Sequence, residues 1–204
     1  MSERKCKEKS DIVICISGMT ASGKSTVARR LAEKYNLKYY SGGTILKELA
    51  ISEGYFPSGS DWWETEEGRR FLKKRMKDSK YDLKVDQLLL EKAKSGGVLL
   101  DSWTMPWLCD RGLKIWVEAS IEERVRRLSK RDKISFEEAL ERLREKDEAT
   151  KRIYKRLYGF SLGEDFTPFH IVLDNTKLSS DETFKVLCEL IEHIIFKKRM
   201  KVRV

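Results

Sequence analysis

The chain has 204 residues, a length that suits one domain. Its composition of 40% hydrophobic and 37% charged residues is that of a globular protein and excludes disordered and collagen-like classes. Apolar runs extend over only a few residues, so the sequence contains neither a membrane-spanning helix nor the apolar core of a signal peptide, and we expect a cytoplasmic protein.

The charge balance is basic, with a net charge of +9. Such a balance suits nucleic acid, a membrane surface or a phosphorylated small molecule. The basic residues are dispersed along helix-like segments, and only residues 197–203 form a short run, which we interpret as a solvated end. Nucleic acid is therefore not the expected partner. The four cysteines, Cys6, Cys15, Cys109 and Cys188, lack the spacing of a zinc site, and Cys15 and Cys188 are expected to be buried.

Short aliphatic runs alternate along the chain with longer segments whose apolar residues recur every three or four positions. The first pattern predicts buried strands and the second predicts helices. Strands that alternate with helices favour a parallel sheet covered on both faces, which is an α/β three-layer sandwich. Five strands are expected, at residues 12–16, 38–40, 98–100, 113–117 and 171–173.

Two helix-only segments interrupt this alternation. The first, an insertion at 44–80, contains the turn-forming sequence GYFPSGSD at 54–61. The second lies at 126–158 and is dense in Arg, Lys and Glu. Each is a candidate for a moving element, although a solvated helical hairpin explains the second equally well. We therefore predict one domain over 1–204, with its core at 11–43, 81–125 and 159–197.

A phosphate-binding motif follows the first predicted strand and precedes the first predicted helix. Its spacing matches G-x-x-x-x-G-K-[ST] without departure. The glycines let the backbone curl so that amide groups point at phosphate oxygens, and the helix N-terminus adds positive charge. Lys24 would reach the β and γ phosphates, and Ser25 would offer a hydroxyl to Mg²⁺. The motif predicts a P-loop that binds ATP with Mg²⁺; its members are Gly18, Met19, Thr20, Ala21, Ser22, Gly23, Lys24, Ser25 and Thr26.

A second metal-side residue is expected at the end of a neighbouring strand. Asp101 follows Val98, Leu99 and Leu100 and is the candidate there, together with Ser25. Aspartate is also common where a strand enters a loop, because its side chain caps the next turn. Both interpretations of Asp101 remain open at this point.

The sequence resembles the nucleoside monophosphate kinase family of P-loop kinases, and most of all archaeal-type cytidylate kinases. The resemblance rests on the P-loop, YYSGGTILKELA at 39–50, WVEAS at 116–120, RRLSKRDKISFEEAL at 126–140 and KRIYKRLYGF at 151–160. It implies a P-loop NTPase sandwich in which the insertion at 44–80 binds the phosphoryl acceptor and a short lid within 126–158 closes. It also implies a monomer that uses ATP, Mg²⁺ and a pyrimidine nucleoside monophosphate.

By this resemblance, Lys24, Arg127 and Arg131 are the catalytic cations, and the two arginines close over the transferring phosphoryl group. Fixed cations in a dry site stabilise charge that develops on the equatorial oxygens of the transition state. Charge runs on helices usually form solvated faces instead, and this alternative applies to both arginines.

The acceptor side is expected to involve Ser41, Gly43, Lys47, Asp101 and Trp103. The segment from Ser41 to Lys47 resembles the family's Ser-small-Gly-Asp-φ-φ-Arg, in which φ is an apolar residue and the arginine grips the acceptor phosphate. Trp103 follows the carboxyl end of a strand, where ligands of open α/β sheets bind.

Several positions depart from the family pattern. Lys47 replaces an arginine, Thr44 an aspartate, and Gln87 the arginine of an Asp-Arg pair. The segment DSWTMPW at 101–107 also lacks the family's acceptor-site arginine, which leaves Arg69, Arg70, Arg75 or Arg111 as replacements. We predict a cytidylate kinase that converts ATP and CMP or dCMP to ADP and the diphosphate. Two alternatives remain: a small-molecule kinase with a hydroxyl acceptor, and an RNA- or ribosome-associated NTPase.

Overall fold

Five parallel strands form the central sheet, in the order β2-β3-β1-β4-β5. The computed structural model describes residues 11–57 and 62–196; Cys6, the basic run at 197–203 and residues 58–61 of the insertion lie outside the described residues. The five expected strands are confirmed, and each ends one residue later than predicted. Their bounds are β1 Val13–Ser17, β2 Lys38–Ser41, β3 Val98–Asp101, β4 Leu113–Glu118 and β5 Ile171–Asp174.

Hydroxyl side chains set the starts of five helices. Ser41, Thr65, Ser120, Ser135 and Ser179 each accept a hydrogen bond from the backbone amide three residues later. The helices are α1 Lys24–Tyr35, α2 Gly42–Ser52, α3 Glu66–Lys77, α4 Lys80–Ser95, α5 Met105–Leu108, α6 Ile121–Asp132, α7 Phe136–Tyr158 and α8 Ser180–Ile194, with a 3₁₀ turn at Trp62–Glu64.

The central strands β1 and β3 are buried along their whole length, which explains their unbroken aliphatic runs, whereas the edge strands β2 and β5 are partly exposed. Side chains alternate along β1: Ile14 and Ile16 pack with α1 and α8 on one face. Val13 and Cys15 pack with α2 and α4 on the other. The three-layer arrangement is therefore confirmed, and Cys15 and Cys188 are buried as expected.

Trp62 and Phe71 of the insertion belong to the same hydrophobic cluster as Val13 and Cys15 of β1, whereas the second helix-only segment has a small core of its own. Trp62 is buried against Phe71, so it serves in packing. The α6–α7 hairpin closes over Val125, Leu128, Ala139 and Leu143. The boundaries predicted at residues 44 and 126 fall inside α2 and α6. Within the described residues, no helix is long and apolar enough to cross a membrane.

The sheet register brings three loops to one edge. Asp101 is the register partner of Ile16 in β1 and of Ser41 in β2. Since the strands are parallel, the loop after β1, the start of α2 and the segment after β3 meet at their carboxyl ends, where ligands of open α/β sheets bind.

Candidate active site

The P-loop runs from the end of β1 to the start of α1, and its two glycines have positive φ angles. Gly18 has φ of 155°, and a Cβ there would lie 2.3 Å from the carbonyl oxygen of Val117. Gly23, at φ of 90°, directly precedes α1. The close approach at Gly18 and the left-handed backbone at Gly23 explain why the motif needs glycine at both positions.

Two hydroxyl groups in the P-loop are buried without a partner. Thr20 is 5% exposed and Ser22 fully buried, and neither Oγ1 of Thr20 nor Oγ of Ser22 has a hydrogen-bond partner among the described residues. Buried polar groups are nearly always satisfied, and an exception requires an explanation. Phosphate oxygens on the loop would accept hydrogen bonds from such hydroxyls.

Side chains of α6 and of the residue that follows β5 donate hydrogen bonds to carbonyl groups of the P-loop. Nη1 of Arg127 and Nδ2 of Asn175 donate to the carbonyl of Ser22 over 2.9 and 3.0 Å. Nη1 of Arg124 donates to the carbonyl of Thr20 over 3.2 Å. These hydrogen bonds to two carbonyl groups of the loop help it to keep the curled shape that a phosphate requires.

Lys24 is surrounded by positively and negatively charged side chains. Burial lowers its pKa, as do the neighbouring charges of Lys146 and Arg131, whereas Asp101 and Asp147 act in the opposite direction. Its Nζ atom is 5.4 Å from the centre of the Trp103 ring. A lysine crowded by burial and by like charges gains from an anion placed beside it, so the site favours phosphate.

Asp101 is buried at the end of β3, near the P-loop. Tyr39 donates its hydroxyl hydrogen to Oδ2 of Asp101 over 2.8 Å, and burial together with this carboxylate raises the pKa of Tyr39. Tyr39 bonds to Oδ2 of Asp101, so the other carboxylate oxygen, Oδ1, is the one that would bind a metal ion. Ser25 lies in the first turn of α1. A carboxylate and a hydroxyl that supplement phosphate oxygens form the kind of set that Mg²⁺ accepts, so these residues fit the metal.

The expected acceptor-side residues follow the start of α2. Oγ of Ser41 accepts the amide hydrogen of Thr44 over 3.4 Å and caps the helix. Gly43 is exposed in the first turn, and Lys47 is half-buried one turn later. A Cβ on Gly42 would lie 3.7 Å from the carbonyl oxygen of Asp101. The start of α2 therefore lies directly beside the end of β3.

Trp103 connects this region to the P-loop. Its Nε1 donates to the carbonyl oxygen of Gly18 over 2.9 Å, and Oγ of Ser17 donates to the Trp103 carbonyl over 3.3 Å. The ring makes a T-shaped contact with Tyr154 of α7, with ring centres 6.2 Å apart. One side chain thus contacts both the nucleotide loop and the α6–α7 hairpin.

The two predicted lid arginines lie in different surroundings. Arg127 donates hydrogen bonds to the Ser22 carbonyl, to Asn175 and to Glu123. Arg131 is half-exposed, binds the carboxylate of Asp132 over 2.6 and 2.9 Å, and is close enough to Lys24 to lower its pKa. The catalytic role of each remains a prediction.

Several charged residues at the site were missed from the sequence. Lys146 of α7 acts electrostatically on Lys24, and Asp147 forms a 2.6 Å ion pair with Arg124. These residues belong to a charge-rich helix whose pattern resembles a solvated face. Apart from that charge, no feature of the sequence distinguishes them.

A cluster of buried polar side chains connects the insertion, α4 and α7. Arg75 is paired with Asp82 at 2.6 Å. Asp86 accepts hydrogen bonds from Thr104 and, over 2.6 Å, from Tyr158. Burial raises the pKa of Asp86 to about 6. Of the arginines proposed as replacements in the phosphate clamp, Arg75 is therefore already bound to a carboxylate.

Comparison with known proteins agrees with this geometry. A model of the cytidylate kinase-like family matches residues 13–177, which is most of the chain. The chain belongs to this family. The resemblance found in the P-loop, α2 and hairpin sequences is thereby confirmed.

Relatives of the cytidylate kinase-like family match over nearly their full length. A cytidylate kinase of Pyrobaculum islandicum is 37% identical over 182 residues, with 88% of this chain and 92% of that protein covered. A cytidylate kinase of Methanopyrus kandleri is 33% identical, with 90% and 95% covered. The fold is also that of a shikimate kinase from Bacteroides thetaiotaomicron, with a TM-score of 0.53, 14% identity, and 89% and 98% covered.

Proposed function

We propose that this protein is an ATP-dependent cytidylate kinase, which transfers the γ-phosphoryl group of ATP to CMP or dCMP. The observation that carries the proposal is the meeting of an intact P-loop with the start of α2 at one sheet edge, in a chain 37% identical to a cytidylate kinase. Donor and acceptor sites at the carboxyl ends of β1, β2 and β3 would bring the two phosphates side by side.

On the donor side, the P-loop amides, the buried Thr20 and Ser22 hydroxyls and Lys24 would hold the ATP phosphates. Ser25 and Asp101 would hold Mg²⁺, which neutralises charge that develops during transfer. Arg131 would move from Asp132 toward the transferring group. Arg127 would act by holding the carbonyl of Ser22, which makes it a positioning residue.

On the acceptor side, Ser41, Gly43 and Lys47 would hold the phosphate of CMP near Asp101. No protein base is required, because the phosphate monoester oxygen is already ionised near neutral pH and only has to be aligned with the γ-phosphorus. Lys146 and Arg131 add positive charge near Lys24. That positive charge compensates in part for the arginine missing at 101–107.

A panel of acceptors tests the proposal. ADP formation is measured with Mg·ATP and CMP, dCMP, UMP, AMP, GMP or hydroxylated metabolites. We expect CMP and dCMP to give the highest kcat/KM. Turnover with a hydroxyl acceptor alone, or with RNA alone, would replace the proposal by one of the other two functions.

A monomeric and cytoplasmic enzyme remains our expectation, and size-exclusion chromatography with light scattering measures the oligomeric state.

A further inference from the structure

The P-loop lysine contacts a residue that the family pattern does not predict. The Nζ atom of Lys24 lies 5.4 Å from the ring centre of Trp103, within the range of a cation–π contact. The indole is held in place by its hydrogen bond to the carbonyl of Gly18 and by the hydrogen bond from Ser17. Trp103 thus presents a fixed aromatic face to Lys24.

Trp103 also follows the strand end that lies beside the expected acceptor residues. Trp103 is two residues beyond Asp101, whose register partner Ser41 caps α2. Tyr154 packs against the Trp103 ring, with the two ring planes 61° apart. A half-buried flat ring two residues beyond Asp101 is suited to a pyrimidine base or its sugar.

We propose that Trp103 couples the two substrate sites: its face holds the Lys24 ammonium before ATP binds and becomes available to the pyrimidine nucleotide once the ATP phosphates draw that ammonium away. The inference rests on the proposed function. Phosphate oxygens compete for Lys24 because a charge-assisted contact is stronger than a contact with a ring face. Binding of ATP therefore favours binding of the acceptor, and by linkage the acceptor favours ATP equally.

The coupling is measured by isothermal titration of CMP into the protein with and without Mg·AMP-PNP. We expect the ATP analogue to tighten CMP binding about ten-fold, the scale of one cation–π contact. The coupling ratio is the Kd for CMP without Mg·AMP-PNP divided by the Kd with it. In Trp103→Leu this ratio should fall to about one. CMP should bind this variant more weakly, while AMP-PNP should bind as tightly as in the wild type or more tightly, because Lys24 no longer has to leave the ring. A purely structural role would weaken both ligands together.

Trp107→Phe is the matched control, since Trp107 stacks on Phe160 and donates to Asp165, away from Lys24. It should keep the wild-type coupling ratio. Trp103→Phe keeps a weaker ring and should show an intermediate ratio, which preserves the test if Trp103→Leu does not fold. An unchanged ratio in the folded Trp103 variants, or parallel loss of both ligands, overturns the coupling. A wild type that phosphorylates CMP with a ratio of one also overturns it, whereas a wild type without CMP turnover refutes the proposed function instead.

Discussion

Replacing Asp147, the ion-pair partner of Arg124, should destabilise the protein and distort the P-loop. The Arg124 and Asp147 side chains are each 10% exposed, their atoms are 2.6 Å apart, and Arg124 also donates to the carbonyl of Thr20. Asp147→Leu leaves a buried guanidinium without its carboxylate, which costs about 3 kcal/mol at the lower end for a buried pair. For a domain of this size that corresponds to a fall in Tm of roughly 6–12 °C.

The double variant Arg124→Met, Asp147→Leu separates stability from function. Replacing both charges by apolar side chains should restore most of the lost stability. Because Arg124→Met removes the donor to the Thr20 carbonyl, kcat/KM for ATP should be about ten-fold lower than in the wild type, the scale of one hydrogen bond. Thermal melting and steady-state kinetics on the wild type, both single variants and the double variant complete the cycle.

Two results would refute this reasoning. Additive losses of stability in the double variant would show that the two charges are not coupled. A stable double variant with wild-type kinetics would show that the Thr20 contact has no effect on nucleotide binding or transfer.

Three further predictions concern single side chains. Arg131→Ala should lower kcat more than it raises the KM for ATP, because a cation used only in the closed state acts on the transition state; unchanged steady-state kinetics would place it on a solvated face. Lys47→Ala should raise the KM for CMP about ten-fold and leave that for ATP alone; equal effects on both would contradict an acceptor contact. The raised pKa of Asp86 means that the folded state holds this proton better than the unfolded state, so stability should fall by up to roughly 3 kcal/mol as pH rises from 3.8 to about 6. Denaturant melts across this range should show a flatter profile in Asp86→Asn, and an equal slope would exclude Asp86 as the cause.

The sheet and the P-loop were predictable because their physical requirements leave local patterns in the sequence. Strands buried on both faces are aliphatic throughout, and the P-loop needs glycine where Gly18 approaches Val117 and where Gly23 has positive φ. Each of these features depends on neighbours close in sequence or on burial alone.

The polar connections around the site were not predictable in the same way. The partners Arg124 and Asp147 are separated by 23 residues on two helices, and Asp86 and Tyr158 by 72 residues. Such pairs depend on how the hairpin and the insertion pack. The sequence alone does not distinguish a charged residue that becomes buried from one that stays exposed to solvent. Arg127 illustrates the difficulty: the family resemblance implied a lid role, and the sequence does not show that its side chain donates to the carbonyl groups of Ser22 and Asn175.

Direct detection of both products tests the central claim. Mg·ATP and CMP are incubated with the protein, and ADP and CDP are separated by ion-exchange chromatography, with Lys24→Ala as the control for phosphate binding. We expect ADP and CDP in equal amounts from the wild type, and almost none from a Lys24→Ala protein that melts normally. ADP without CDP, or undiminished CDP from Lys24→Ala, would contradict phosphoryl transfer to CMP at this site.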